Sequence, residues 1–373
     1  MNRISETADA SLWGVYLHIP YCRSRCAYCN FVSGCDMSDT DAYVKALIGE
    51  TERRGGGKRA DTVYIGGGTP SVLPRGKLKE ITDAVRRSFE LSKDSEISIE
   101  CNPDSASKAF FDECAECGVN RVSIGLQSTS DRLLRTVGRP HDYAQFLESV
   151  NAARAVGITN INADLMLNLP DQTVRDVTDS IDKLSALPLT HISVYGLSVE
   201  KGTPLEKSGY VPDEDRGADM YDAAVTALRK LGYVRYEVSN FALKGRECRH
   251  NLKYWDRSPY VGLGLAAHSF DGKYLRSFNT SDKAAYIGGN TLGGTEELTN
   301  SDAAEEYIML SLRTAKGLDL EKLRLKYGVD LIKDRAAQMR HLMSHSLVEI
   351  DKNRLLLTDK AYYIMNSVIV SLI

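Results

Sequence analysis

The chain has 373 residues, 43% hydrophobic and 26% charged, with a formal net charge of −3. That balance belongs to a soluble globular protein with more than one core, and it leaves no basic footprint for nucleic acid. The first 13 residues, MNRISETADASLW, lack an apolar signal region, and no run approaches the roughly 18–20 apolar residues of a membrane span. A cytoplasmic protein is expected, whose eight cysteines stay reduced and act as ligands or small buried residues.

In chain order, strands are predicted at 14–20 (GVYLHIP), 62–68 (TVYIGGG), 96–102 (EISIECN), 120–126 (NRVSIGL), 160–167 (NINADLML) and 191–197 (HISVYGL). Amphipathic helices are predicted at 39–54, 76–89, 106–117, 142–156, 173–185 and 214–231. This alternation implies parallel βα units with right-handed crossovers. Polar groups cluster at the C-terminal strand ends: HIPYC after the first, GGGTP after the second, Glu100-Cys-Asn-Pro after the third and Gln127 after the fourth, with Asp164 in the fifth. A βα barrel brings all of these to one mouth, whereas a doubly wound sheet gathers ligands at a switch point. The distribution favours an α/β fold with a partial (β/α)6 barrel.

Beyond residue 232 the reading is one more strand at 233–242, a polar loop at 246–251 and a Gly-rich turn at 261–270. Helices at 301–314, 318–326 and 331–344, followed by a hairpin within 347–358, resemble a winged-helix module. It has no basic recognition helix, so a packing or lid role is expected. The division is 1–235 for the barrel core, 236–298 for an extension and 299–373 for the C-terminal module.

The loop YCRSRCAYCNF holds Cys22, Cys26 and Cys29 in the pattern C-x3-C-x2-C. Three thiolates can ligate three irons of a [4Fe–4S] cluster and leave the fourth open, as catalytic zinc sites keep one position for substrate. The competing reading is an incomplete zinc site or three ordinary cysteines. In GGGTP, Gly66, Gly67 and Gly68 let backbone approach a ligand closely, against the alternative of a plain βα turn.

CRSRCAYC resembles the cluster motif of the radical S-adenosylmethionine (SAM) superfamily, and GGGTP resembles the form its SAM-amino motif takes in the branch of oxygen-independent coproporphyrinogen III oxidase. The resemblance runs from about residue 14 to 373. It implies that Cys22, Cys26 and Cys29 ligate the cluster and that SAM chelates the open iron, to be split to a 5′-deoxyadenosyl radical. It also carries SAM contacts onto Tyr16, Tyr28, Gly67, Gly68, Thr69, Glu100, Gln127, Arg139 and Asp164. Arg139 suits the SAM carboxylate chemically. No residue is assigned as catalytic.

Within that branch the chain resembles most the heme chaperones of the HemW group. The dehydrogenase carries a further cysteine two residues after the third cluster cysteine and a longer N-terminal arm, whereas this chain has Phe31 and about 13 residues before its first strand. The HNLKYW stretch, with His250, Asn251, Tyr254 and Trp255, resembles the HNxxYW signature of that group. A histidine beside Tyr and Trp offers an axial nitrogen and flat aromatic surface to a porphyrin; the competing reading is a histidine buried under aromatics. The resemblance implies heme as cargo, a flavodoxin or ferredoxin as reductant, and apo-hemoproteins of respiration, some at the membrane, as recipients. The alternative is coproporphyrinogen III dehydrogenase activity, oxidative decarboxylation of propionates, which Phe31 and the short N-terminus oppose. Cys114 and Cys117 read as buried small residues, and Cys35 lies out of register with the cluster loop.

Overall fold

A computed structural model describes residues 12–373; the predicted short N-terminal arm lies largely outside the described residues. The core alternates strand and helix: β1 (Trp13–Ile19), α1 (Thr40–Gly55), β2 (Arg59–Gly67), α2 (Lys77–Ser88), β3 (Glu90–Cys101) and α3 (Lys108–Glu116). It continues with β4 (Arg121–Gln127), α4 (Asp131–Thr136), α5 (Tyr143–Ala155), β5 (Asn160–Leu167), α6 (Val174–Ser185), β6 (His191–Gly196), α7 (Pro204–Lys207) and α8 (Glu214–Lys230). β1 to β6 are parallel and hydrogen-bonded in sequence order. The six predicted units are therefore present as a partial barrel.

Strand alternation sorts the side chains. Val15, Leu17, Ile19, Val63, Ile65, Ile97, Ile99, Val122, Ile124, Ile161 and Val194 belong to the main hydrophobic core. The alternate positions carry Tyr16, Tyr64, Glu96, Glu100, Arg121, Ser123, Asn162, Asp164 and His191. The barrel thus has an apolar jacket, packed on helices, around a polar interior.

The remaining elements extend the sheet at both edges. β7 (Val234–Arg235) and β8 (Asn240–Ala242) add an antiparallel edge beside β6. Then come α9 (Arg249–Trp255), β9 (Tyr260–Leu263), β10 (His268–Phe270), β11 (Leu275–Asn279), α10 (Lys283–Ile287) and β12 (Leu292–Glu297). β9 pairs in parallel with β1, and β10 to β12 continue the sheet outward. Residues 236–298 are thus woven into both edges of one 12-stranded sheet. Glu50 of α1 clamps this extension: its buried carboxylate accepts from Gly264 N (2.9 Å), Asn279 Nδ2 (2.8 Å) and Tyr286 Oη (2.6 Å) and pairs with Arg54 (3.1 Å).

A second hydrophobic core occupies the C-terminal module. It comprises α11 (Asn300–Ser311), β13 (Leu318–Asp319), α12 (Leu320–Tyr327), α13 (Leu331–Asp334), α14 (Ala336–Ser344), the hairpin β14 (Val348–Asp351) and β15 (Arg354–Leu357), and α15 (Met365–Val370). The expected hairpin is present, with β13 added as a third strand.

Four sequence expectations need correction. The strand at 233–242 is two short strands, because the chain turns back on itself with Tyr236 N donating to Asn240 O at 3.1 Å. The helix at 331–344 breaks at Arg335 (φ −121°), whose guanidinium reaches Ile373 O at 3.1 Å. β3 begins at Glu90, six residues early, because Arg59 and Ala60 of β2 pair with its polar start before the register shifts. The polar loop at 246–251 becomes helical from Arg249, because Glu96 caps it from β3: its carboxylate accepts from Arg249 N (3.0 Å) and His250 N (3.2 Å). A carboxylate at a helix N-terminus satisfies free donors and favours the dipole.

Candidate functional site

The C-terminal strand ends open on a cavity of about 420 Å³. Cys22, Cys26 and Cys29 line it, and so do Tyr16, Tyr28, Gly67, Gly68, Thr69, Glu100, Gln127, Arg139 and Asp164. The fold therefore brings together every residue of the sequence-derived cluster and SAM sets. Cys35 is exposed and is not among the lining residues. A larger cleft of about 670 Å³ opens at the other end of the barrel, among Glu96, Asn120, Asn160 and Arg249. It contains none of the loop cysteines, so the chemistry belongs to the smaller cavity.

The cysteine loop is tied down along its length. Cys22 N donates to Gly34 O (3.0 Å), Ala27 N to Val137 O (3.0 Å) and Leu205 N to Ala27 O (2.9 Å). His18 braces it from β1, with Nε2 at 2.8 Å from Val32 O and Nδ1 at 3.0 Å from the Tyr16 hydroxyl. Donors point at two sulfurs: Thr69 Oγ1 at Cys22 Sγ (3.3 Å) and Arg139 Nη1 at Cys26 Sγ (3.2 Å). Such donors suit sulfur in its thiolate form. Burial pushes the Cys29 thiol up, so metal binding there releases a proton.

The glycines of GGGTP are required by space. A Cβ on Gly67 (φ +118°) would lie 2.6 Å from His18 Nδ1, and one on Gly68 would lie 2.6 Å from Tyr21 O and 3.0 Å from Cys22 Sγ. The turn thus runs against the cysteine loop with no room for a side chain. Gly125 is similarly tight, its Cβ position 2.8 Å from Asn102 Oδ1.

Opposite the cysteines, Glu100 accepts from Tyr64 Oη (2.8 Å) and Gly67 N (3.1 Å). Burial pushes its carboxyl up to about 7, with the neighbouring Asp164 adding to the shift and the Tyr64 hydrogen bond opposing it. Burial also raises Asp164, whose carboxylate accepts from Asn162 Nδ2 (2.7 Å) and Ser123 Oγ (3.3 Å). Arg139 Nη2 donates to Asn102 Oδ1 at 2.8 Å, and Asn102 Nδ2 donates to Thr69 Oγ1 at 3.0 Å. Two buried groups of this wall are left over: Gln127 Oε1 and Arg139 Nε have no partner. Gln127 also holds a left-handed backbone, φ 72°, a strained conformation typical of ligand sites.

Sequence reasoning missed Asn102, Ser123, Met166, Tyr195, Ser198 and Glu200, which also line the cavity. Asn102 was legible in the ECNP turn; the others are polar or apolar residues of types common on any strand end.

The HNLKYW segment lies elsewhere, and none of its residues lines this cavity. His250 is fully buried, with Nδ1 at 2.8 Å from Thr62 Oγ1 and Nε2 at 2.9 Å from Tyr254 Oη. Both ring nitrogens are engaged within the protein, so neither is free as an axial ligand in this arrangement. Tyr254 spends its hydroxyl on His250 and packs edge-on against Tyr260 at 4.8 Å. Asn251 and Trp255 are partly buried on the same helix.

Comparison with known proteins agrees with this geometry. Residues 16–184 match the radical SAM superfamily and residues 298–364 the HemN C-terminal domain. Heme chaperone HemW of Lactococcus lactis is 34% identical over 370 residues, 95% of each chain. The chain belongs to the HemW family. HemW of Bacillus subtilis is also 34% identical, over 95% of this chain and 97% of the relative, and HemW of Escherichia coli 32%, over 80% and 82%. In fold, this HemW-family chain resembles coproporphyrinogen III oxidase (HemN) of E. coli, a radical SAM enzyme, with a TM-score of 0.85 at 22% identity over 97% of this chain and 90% of that one.

Membership of the radical SAM superfamily brings a [4Fe–4S] cluster and SAM. The residues of this HemW-family cavity fit them. Among the described residues no three His, Cys, Asp or Glu side chains converge as on a single ion. A polynuclear cluster is gripped at separate corners and needs no such convergence. The unpartnered Gln127 Oε1 and Arg139 Nε supply polar contacts for a ligand beside it, and Gly67 and Gly68 let the turn that lines the cavity pack directly on the cysteine loop.

Proposed function

We propose that this protein is a heme chaperone: it binds heme and hands it to apo-hemoproteins of respiration. The observation that carries this reading is identity along the whole chain to proteins named heme chaperone HemW, 34% over 95% of both chains. Cys22, Cys26 and Cys29 hold the cluster in this reading. Tyr16, Tyr28, Gly67, Gly68, Thr69, Glu100, Gln127, Arg139 and Asp164 hold SAM. When bound, the pair supplies one-electron chemistry at the barrel mouth. The chain's own part is positional. Thr69 and Arg139 steady two thiolates, the GGGTP turn packs against the cysteine loop at the cavity wall, and Glu100 and Asp164 receive the ligand's hydrogen-bond donors.

Phe31 is 64% exposed and Tyr195 40% exposed, and both lie at the cavity. They give a flat apolar cargo a surface beside the cluster, in place of the buried His250. Phe31 also stands where the dehydrogenase has a cysteine, which disfavours propionate decarboxylation. The reductant is a flavodoxin- or ferredoxin-type donor. The protein works in the cytoplasm and meets membrane-bound recipients peripherally. Among the described residues no helix is long and apolar enough to cross a membrane.

The test is anaerobic reconstitution of the cluster, followed by hemin titration monitored by the Soret band and transfer to an apo-hemoprotein. Saturable binding and transfer are expected. Their absence, or turnover of coproporphyrinogen III to protoporphyrinogen IX, would replace the chaperone reading with the enzymatic one.

A further inference from the structure

The HNLKYW helix is a sequence motif that the cofactor cavity does not absorb, yet it lies directly beneath it. His250 stacks on Tyr64 with ring centroids 5.3 Å apart and 27° between planes. Tyr64 stacks in turn on Tyr16, 6.2 Å away at 25°, and Tyr16 lines the cavity. On its other side the Tyr64 hydroxyl donates to Glu100 Oε1 at 2.8 Å. One histidine therefore touches the ring whose hydroxyl fixes the cavity carboxylate.

His250 is well fitted to act as a rigid support. Its two ring nitrogens are held by Thr62 and Tyr254. Burial, with Lys253 and Arg121 nearby, lowers its pKa to about 3, so it stays neutral. The sequence clears space for it: a Cβ on Gly14 of β1 would lie 2.9 Å from Lys253 Cδ and 3.2 Å from His250 Cε1. The helix is locked from below, with Glu96 on its first amides and Asp61 paired with Lys253 (2.6 Å) and Arg249 (3.2 Å).

We propose that the HNLKYW helix is a positioning element for the SAM pocket, in which His250 seats Tyr64 so that its hydroxyl holds the Glu100 carboxylate toward the ligand. This rests on the reading of the cavity as the SAM site. His250 and Tyr64 are positioning residues; neither lines the cavity.

The test uses full-length protein with its cluster reconstituted. SAM affinity is measured by equilibrium dialysis, and the electron paramagnetic resonance spectrum of the reduced cluster is recorded with and without SAM. Hemin is titrated in parallel. Tyr64→Phe keeps the stack but removes the hydrogen bond to Glu100, and is expected to weaken SAM binding about 3- to 10-fold. His250→Ala is expected to weaken it by a similar factor and to reduce the SAM-induced spectral change, with hemin affinity retained. His250→Gln, which can keep a donor and an acceptor, should recover part of the loss. The double variant should bind SAM little worse than either single one, because both act through one contact.

Wild-type SAM affinity in Tyr64→Phe would overturn the proposal, including where His250→Ala fails to fold. Loss of hemin binding with SAM affinity intact in His250→Ala would overturn it too and make the motif a heme site. If the wild type itself binds no SAM, the SAM-site reading falls and this proposal with it. That outcome is distinct from failure in the variants alone.

Discussion

At the C-terminal end of the barrel, Gln127 Oε1 and Arg139 Nε are buried without partners. At the opposite end, both ring nitrogens of His250 and both oxygens of Glu96 are engaged. The two ends use similar residue types: histidines, carboxylates, tyrosines and cysteines. Unpaired buried polar groups cost roughly 1–3 kcal/mol each, and at the cavity wall a bound ligand can satisfy them. Paired ones need no ligand and act as scaffold. Arg121 sits between the two regimes, with Nε and Nη1 unpartnered inside the barrel and the Glu96 carboxylate favouring its charged form against burial. Residue type therefore does not separate the two ends; what separates them is whether side chains that line a cavity are already paired.

The comparison can be broken most sharply at the cysteines. Cys22→Ala, Cys26→Ala and Cys29→Ala should each abolish the reconstituted cluster, read as iron content and brown absorbance, while the fold measured by circular dichroism persists. A variant that keeps its iron would remove that position from the ligand set. The opposite end should behave in reverse. Glu96→Ala strands two backbone donors of α9 and should destabilise the protein by about 2–4 kcal/mol, measured by urea unfolding. Iron uptake at low temperature should remain.

A smaller effect separates the ends by pH. The Glu100 carboxyl is held at about 7, against 4.5 for the ordinary group. Between those values the folded state keeps a proton that the unfolded chain has released, so stability falls as pH rises through this window. Glu100→Gln should lose that slope. Above pH 7 it should be more stable than wild type by on the order of 1–2 kcal/mol, after discounting its weaker acceptor. Urea midpoints of cluster-free protein at pH 5 and pH 8 read this out. A variant with an unchanged slope would show that Glu100 is not the group responsible. The smallest effect is expected at Cys35→Ser, where an exposed thiol outside the cavity should change neither iron content nor stability by more than about 0.5 kcal/mol.

The sequence by itself determined the six-unit barrel and the residues of its mouth. Both follow from local order. Period-2 strands alternate with amphipathic helices, and a βα unit delivers whatever follows its strand to one face. The cysteine loop, the GGGTP turn, Glu100, Gln127 and Asp164 needed nothing more, and Arg139 was added through resemblance. Tertiary structure alone decided the rest. HNLKYW reads equally well as a porphyrin-facing loop or as a buried helix, because nothing within it states where its partners lie. Those partners are Thr62 and Tyr64 on β2 and Glu96 on β3, between 154 and 188 residues earlier in the chain. The helix at 331–344 failed for the same reason, since it breaks at Arg335, whose guanidinium reaches Ile373 at the chain's end; the strand at 233–242 failed locally, at a turn that Tyr236 N and Asn240 O close. Local periodicity fixes which faces are buried. Whether a buried polar group is a ligand or a support depends on non-local hydrogen bonds, and these exist only once the strands have assembled.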